Sequence, residues 1–230
     1  MRTSRSGVIP EHWRRREPGF MGRWDRRYAR VMDELVAGVW HWQGAHPAYT
    51  EPHIVSSYAV DVGDRLLLFD PIAAPDELMS HAGTRELAVV LTNPWHERET
   101  RGLVEKHNLH VFSPRPDEGN PDLAWLLSGK TGEPHFYAAD GALPAGVDAA
   151  LPGRQANDLV LWIGSRRSVV VGDTLVNFGA RLEIHEPWLW TTTREQVIDQ
   201  LRPLLLLPVE HVFATHGGPH DRTALERALA

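Results

Sequence analysis

Apolar runs alternate along the chain with polar, turn-rich segments, and this alternation predicts short strands and helices. The runs predicted to be strands are residues 39–42, 54–60, 65–69, 87–91, 110–112, 159–163, 168–171 and, as the last strand, 209–214. Helical spacing or capping signals mark residues 24–37, 75–86 and 99–106, and a capping box of Thr193 with Gln196 opens one more helix. Strands alternating with helices indicate a single α/β domain.

The first 23 residues do not fit this pattern. They contain six arginines and two prolines but few large apolar side chains, so they are expected to form a basic, partly ordered arm before a domain at 24–230. The spacing of Trp24, Tyr28, Val31 and Leu35 predicts an amphipathic helix over 24–37. The arm and this helix offer a surface on which a homodimer could form.

Composition removes several classes of function. The chain of 230 residues has a net charge of -6, which makes binding to nucleic acid unexpected despite the arginine-rich arm. It has no cysteine, which excludes disulfides, thiolate catalysis and cysteine-ligated zinc. Since no apolar run approaches the ~20 residues that span a bilayer, we expect a cytoplasmic protein without a membrane partner.

The most informative stretch is the apolar strand 87–91 and the polar loop that follows it. In open α/β sheets ligands bind beyond the carboxyl ends of the strands. This loop carries Trp95, His96, Glu97 and Arg98 at such an end. An imidazole titrates near neutral pH, so His96 is a candidate general acid or base. Serine-nucleophile, dinucleotide and phosphate-loop motifs are missing from the sequence.

Two later strand ends supply further candidates. Asp173 follows the strand 168–171 and could orient a base or pair with an arginine. His216 precedes two glycines, which let another group approach the backbone closely. Trp188 could wall a pocket for an apolar or aromatic ligand, and of the remaining histidines only His185 is expected near the site.

Five landmarks, in this order, resemble the metallo-β-lactamase superfamily from about Val39 onward. They are Leu68-Phe69-Asp70-Pro71, Leu91-Thr92, Leu151-Pro152-Gly153, Val171-Gly172-Asp173-Thr174 and Thr215-His216-Gly217. The resemblance implies a four-layer αββα sandwich with its site along one edge of the sheets. It also implies hydrolysis of esters, thioesters, amides or phosphodiesters by zinc-activated water.

The chain departs from the family at the metal ligands. The family motif His-x-His-x-Asp-His has no counterpart in any register. The matching positions are Asn93, Trp95, Glu97 and Arg98. Arg154 replaces a later histidine, so that only Asp173 and His216 agree with the family pattern. Zinc sites need at least three protein ligands, so we expect no dinuclear zinc centre and no tightly bound cofactor.

The arginines at vacated ligand positions predict a substitute for the metal charge. Arg154 or Arg98 is expected within salt-bridge distance of Asp173, because a buried carboxylate needs a cation to stay ionised. Together with Trp95 and Trp188, these arginines would bind a small anionic molecule.

Three functions are compatible with these residues. The first is a pocket for a small molecule, with metal-independent hydrolysis or proton transfer by His96, His216, Asp173 and Glu97. The second is a non-catalytic binding or scaffold pseudoenzyme. The third is a hydrolase that holds one weakly bound zinc or other divalent ion on Asp173, His216 and either Glu97 or His96. The sequence alone leaves open whether the chain is an enzyme.

Overall fold

Two β-sheets make up most of the computed structural model, which describes residues 32–46, 53–72, 74–117, 135–179 and 181–230. The first sheet holds seven strands in sequence order: β1 (Asp33–Val36), β2 (Val39–Ala45), β3 (Ile54–Asp61), β4 (Arg65–Phe69), β5 (Glu86–Val90), β6 (His110–Pro114) and β7 (His135–Tyr137). The second holds five, in the order β12-β11-β10-β9-β8: β8 (Ala149–Pro152), β9 (Leu159–Ile163), β10 (Ser168–Val171), β11 (His211–Ala214) and β12 (Gly218–Asp221).

Helices cover the outer face of each sheet. The α-helices of the described residues are α1 (Asp76–Ala82), α2 (Thr100–His107), α3 (Arg194–Leu201) and α4 (Arg222–Ala228). Short 3-10 turns lie at Gly164–Arg166, Glu186–Trp188 and Arg202–Leu206. The predicted capping box is confirmed, since the Thr193 side chain accepts from the Gln196 main chain while the Gln196 side chain accepts from the Thr193 main chain.

Alternating side chains of the same strand contribute to two separate apolar cores. In β4, Leu67 and Phe69 face the second sheet, whereas Leu66 and Leu68 pack with residues of α1 and α2. A third core lies between the second sheet and the helices α3 and α4. The layers are therefore helices, sheet, sheet and helices, and the predicted four-layer αββα sandwich is confirmed.

The predicted helix over 24–37 is wrong in its last residues. Asp33–Val36 form β1, which pairs antiparallel with β2 across a turn at Gly38. Gly38 has a φ of 78°, so the glycine that we expected to end a helix instead makes a hairpin turn. Leu35 and Val36 pack on the core between the sheets. Residues 1–31, which include the arm and most of the proposed dimer surface, lie outside the described residues.

The strand predicted at 209–214 is not the last one. Its observed core is β11, and Gly217 and Gly218, with φ of 109° and 116°, turn the chain back into β12. The helix α4 then follows, capped by Asp221, whose side chain accepts from the main chain of Ala224. Within the described ranges no helix is long and apolar enough to cross a membrane.

One edge of the sandwich brings together the ends of strands from both sheets. The strand β4 runs parallel to β5, and β10 runs parallel to β11, so that each pair ends on the same side. Main-chain hydrogen bonds join the sheets there, from Ser56 to Thr215 at 2.9 Å and from Leu159 to Thr92 at 2.8 Å. The residues directly after these strands therefore form one site.

Candidate metal site at the strand ends

Asp70 anchors the loop that carries His96. It follows β4 with a φ of 44°, a left-handed conformation that aspartate adopts more readily than most residues. Its Oδ1 accepts from the main chain of Thr92 at 2.8 Å, and its Oδ2 accepts from the Thr92 hydroxyl at 2.6 Å. Asp70 Oδ2 also lies 2.7 Å from His96 Nδ1. The fully buried carboxylate thereby sets both the start of the loop and the orientation of the imidazole.

His96 lies between two carboxylates. Its Nδ1 faces Asp70, and its Nε2 lies 3.0 Å from Asp173 Oδ1. Burial alone would lower the pKa of His96, but the two aspartates overcome that effect and raise it to about 9. Without a metal ion the ring is therefore an imidazolium at neutral pH, and both of its nitrogens donate.

Asp173 is surrounded by donors on both of its oxygens. Its Oδ1 faces His96 and His216, the latter with Nε2 at 2.9 Å. Its Oδ2 accepts from Trp95 Nε1 at 2.7 Å and from Arg154 Nη2 at 2.6 Å. Burial favours the neutral acid, yet these neighbours, with His96 the strongest, hold the pKa of Asp173 well below its usual range. The side chain is thus a permanent anion at the centre of the site.

His216 completes a group of three side chains that could hold a metal ion. Burial lowers its pKa to about 4, so the ring is neutral at physiological pH. Its Nε2 lies 3.4 Å from His96 Nε2, and its Nδ1 lies 3.3 Å from His53 Nε2. His96, Asp173 and His216 are the residues of the described chain whose ligand atoms converge closely enough to hold an ion.

The spacing of these ligand atoms fits one tetrahedral metal ion. Asp173 Oδ1 lies 2.9 Å from His216 Nε2 and 3.0 Å from His96 Nε2, and the two ring nitrogens are 3.4 Å apart. With zinc bonds near 2.0–2.1 Å, tetrahedral ligand atoms lie about 3.3 Å apart. Among the described residues no second group of ligand atoms converges in this way, and Trp95 and Arg154 present only N–H donors to Asp173. The sequence offered His96 or Glu97 as the third ligand of one weakly bound ion, and His96 is the one whose ring nitrogen converges with Asp173 and His216.

Arg154 makes the ion pair that the sequence predicted. Its Nη2 donates to Asp173 at 2.6 Å, and its Nε donates to Asp158 at 2.9 Å. Asp158 is fully buried and was missed in the sequence, where no family landmark marks it. Burial, with the nearby charge of Asp173, raises the pKa of Asp158 to about 6, although Arg154 opposes that shift. Arg154 therefore pairs with two buried carboxylates.

Tryptophans enclose the same guanidinium. Arg154 Nη1 donates to the main-chain oxygen of Trp188 at 2.8 Å. The rings around its Cζ are Trp95 at 5.3 Å, Trp188 at 5.8 Å and Trp190 at 5.4 Å. These distances allow cation–π attraction, and the enclosure keeps water from the ion pairs. Arg154 is consequently only 3% exposed.

Arg98 is partly buried beside the site and has different partners. Its φ of 46° turns the side chain back under the loop, where Nη1 donates to the carbonyls of Ser56 at 2.8 Å and Asp70 at 2.7 Å. Nη2 donates to the carbonyl of Thr215 at 3.3 Å. These bonds tie three strand ends together. They support a structural role for Arg98 and give no support to the substrate-binding role that we expected.

Glu97 does not belong to the group of ligands. Its main-chain oxygen accepts from Thr100 at 2.8 Å as α2 begins, and the converging ligand atoms come from its neighbour His96 instead. Of the alternatives that the sequence left open for a third ligand, the geometry therefore favours His96 over Glu97.

Aromatic rings extend from His216 toward solvent. Trp188 lies 5.4 Å from the His216 ring, and Phe178 lies 5.9 Å from it. His185 is in contact with both, as expected from the sequence. His53, which the sequence did not place near the site, contacts His216 and Phe178. His53 lies directly before β3, and no motif in the sequence marks it as a site residue.

The raised pKa of His96 predicts a pH-dependent stability of metal-free protein. A group with a higher pKa in the folded state stabilises it fully below the unfolded value of 6.5 and loses that contribution as pH rises through about 9. The free energy of unfolding after chelator treatment should fall by on the order of 2–3 kcal/mol across this window. The pKa shifts of Asp158 and His216 affect stability at lower pH.

Urea titrations of the metal-free protein at pH 6.5 and 9.5 measure this change in the free energy of unfolding. The variant His96→Gln should show a much smaller change. Equal stability at both values would contradict the assignment.

Similarity to known proteins is found at the level of structure. No protein-family model and no curated protein sequence matches the chain. The solved structure of TMB-1 matches with a TM-score of 0.65 and 13% identity, over 87% of this chain and 95% of that one. The DIM-1 metallo-β-lactamase matches with a TM-score of 0.61 and 15% identity, over 87% of this chain and 94% of that one. A metallo-β-lactamase from Erythrobacter litoralis matches with 0.57 and 15%, over 86% and 93%. At identities this low, the structural matches establish a shared fold and no more.

Proposed function

We propose that this chain, which has the metallo-β-lactamase fold, binds one divalent metal ion and acts as a hydrolase on a small molecule. The observation that carries the proposal is the convergence of His96 Nε2, Asp173 Oδ1 and His216 Nε2 within 2.9–3.4 Å of one another. Two imidazoles and a carboxylate are a common ligand set of catalytic zinc, with a further position left for water or substrate.

The groups behind the three ligands support a metal site. Metal-binding histidines usually have a hydrogen-bond partner on the second ring nitrogen. Here Asp70 lies behind His96 and His53 lies behind His216. Asp173 has Trp95 and Arg154 on its second oxygen. Each ligand is thus oriented by another side chain before any ion binds.

A bound ion would polarise a substrate oxygen or lower the pKa of a bound water. The protein's own groups would do the positioning. Asp70 holds the His96 ring with Nε2 toward Asp173, and Arg154 turns Asp173 so that Oδ1 faces the two histidines. Arg154 is itself paired with Asp158 and Asp173, so the ion would supply the positive charge that faces a substrate. Such a charge favours substrates that carry or develop negative charge.

A second candidate, a metal-free binding protein or pseudoenzyme, is favoured by the charges. Protonated His96 with Arg98 and Arg154 gives three positive charges, and Asp70, Asp158 and Asp173 give three negative ones. The site is therefore balanced without an ion. A metal must displace the proton on His96 Nε2, which weakens its binding at low pH.

Titration of chelator-treated protein with Zn²⁺ at pH 8 distinguishes the candidates. Calorimetry and elemental analysis of the dialysed protein should give one ion per chain. Two ions per chain would contradict the single-ion site, and none would favour the metal-free candidate. Hydrolysis is tested with p-nitrophenyl acetate and bis(p-nitrophenyl) phosphate. The zinc-loaded protein should exceed the stripped protein with at least one of them, and equal rates with both would count against a hydrolase that accepts simple esters or phosphodiesters.

A further inference from the structure

We propose that the site selects molecules in which an aromatic ring lies one or two atoms from the group that the metal site binds. This inference rests on the proposed function and concerns the substrate of that same site. The recognising surface is the aromatic wall, defined here as Phe178, His185 and Trp188.

The aromatic wall is built from three rings in mutual edge-to-face contact. Phe178 and Trp188 have centroids 5.2 Å apart at an interplanar angle of 83°. His185 lies 5.1 Å from Phe178 at 83° and 4.9 Å from Trp188 at 77°. Such arrangements are the favoured geometry for aromatic pairs. The rings hold each other in place, so the surface exists before a ligand arrives.

The aromatic wall begins at the ligand residue His216. Trp188 and Phe178 each contact the His216 ring, at 5.4 Å and 5.9 Å between centroids. A group bound beside His216 Nε2 therefore has these rings within the length of a short linker. An aromatic ring one or two atoms from a carboxylate or carbonyl would reach the wall, whereas acetate would not.

Exposure indicates that the wall has an uncovered face. Phe178 is 46% exposed although it contacts four aromatic rings, those of His53, His185, Trp188 and His216. Large apolar side chains with that many partners are usually buried, and an exposed one beside a candidate site is a surface on which a ligand can pack. A ligand ring packed on Phe178 would remove this surface from water and add another edge-to-face contact.

The ion of the proposed site would favour a carboxylate at the other end of the ligand. Arg154 lies 5.8 Å from the Trp188 ring, but its guanidinium is buried and already paired with Asp158 and Asp173. With the ion bound, the site would offer an aromatic surface and a cationic end. A small arylalkanoate, or the acyl part of an ester or amide with that shape, matches both.

Binding of phenylacetate and acetate to zinc-loaded and chelator-treated protein tests the inference. Calorimetry on the wild type should show phenylacetate binding at least about tenfold more tightly than acetate, a ratio expected from one well-packed aromatic contact. The variant Phe178→Ala should lower that ratio toward one. Leu206→Ala is the matched control, because Leu206 is an apolar side chain, 87% exposed, that belongs to a 3-10 turn away from the strand ends.

The outcomes separate this inference from the proposed function. Failure to bind zinc would overturn the proposed function, and the ratio in metal-free protein would still decide the role of the wall. A ratio near one, or no binding of either acid, overturns the inference. A preference for phenylacetate that survives in Phe178→Ala also overturns the inference, provided that circular dichroism shows the variant to be folded. His185→Phe, which keeps the edge-to-face packing, should retain the preference.

Discussion

Replacing Arg154 with methionine is expected to lower the free energy of unfolding by about 3–5 kcal/mol, since removing one partner of a buried ion pair leaves the other charge uncompensated. The guanidinium pairs with Asp158 and Asp173 and is 3% exposed, so water screens the interaction poorly. Methionine retains much of the packing against the surrounding tryptophans. Urea denaturation of the metal-free protein measures the loss.

A second substitution shows whether the loss comes from the unpaired charge. In the described chain Arg154 is the basic side chain that forms an ion pair with Asp158, whereas Asp173 keeps His96 and His216. Arg154→Met with Asp158→Asn should therefore recover part of the stability that Arg154→Met loses. Arg202→Ala breaks an exposed pair with Asp199 and should cost less than about 1 kcal/mol. A loss from Arg154→Met as small as that control would show that the buried pairs do not stabilise the fold.

The α/β class and the inner strands could be predicted from the sequence because these strands are apolar on both faces, whereas the four-layer sandwich was implied by the resemblance to the metallo-β-lactamase superfamily. Leu66 to Phe69 are all buried, in two different cores, and such a run between turn signals is typical of an inner strand. The Arg154–Asp173 pair could be predicted for a separate reason. Asp173 had to find a cation at a strand end, and an arginine occupies a position where the family has a histidine.

From the sequence, His96 could be offered as a candidate ligand only as an alternative to Glu97. Its place beside Asp173 depends on the path of the loop, which the left-handed residues Asp70 and Arg98 and the hydrogen bonds from Thr92 to Asp70 set. Trp95 consequently supports Asp173 from behind, and His96 faces it. His53 and Asp158 were missed because their roles depend on partners that are distant in sequence.

β1 was mistaken for helix because apolar spacing in a four-residue segment suits either structure. Asp33–Val36 continue the helical spacing that begins at Trp24, and Gly38 is typical of a helix end as well as of a hairpin. Pairing with β2 decides between them, and that contact depends on the neighbouring strand rather than on the segment itself.

Replacing His96 with alanine is expected to weaken Zn²⁺ binding by more than about a hundredfold. Loss of a group that only orients a ligand typically costs 10–100-fold in metal affinity, and His96 Nε2 is itself one of three converging ligand atoms. Asp173 and His216 would remain, but two protein ligands are fewer than zinc sites use. Competition with a fluorescent chelator at pH 8 measures the affinity of each variant.

Two further variants turn this expectation into a graded series. Asp70→Asn keeps a side chain of the same size behind His96 but removes the charge that lies 2.7 Å from Nδ1. It should therefore lower the affinity for Zn²⁺ by an intermediate factor of about 10–100-fold. His185→Ala removes a histidine that contacts Phe178 and Trp188 but is not one of the three proposed ligands, and it should leave zinc affinity unchanged. If zinc binds His96→Ala as tightly as the wild type, the ion is held by other groups and the assigned site is wrong. An equal loss in all three variants would instead indicate general damage to the fold, which melting temperatures of the metal-free proteins would reveal.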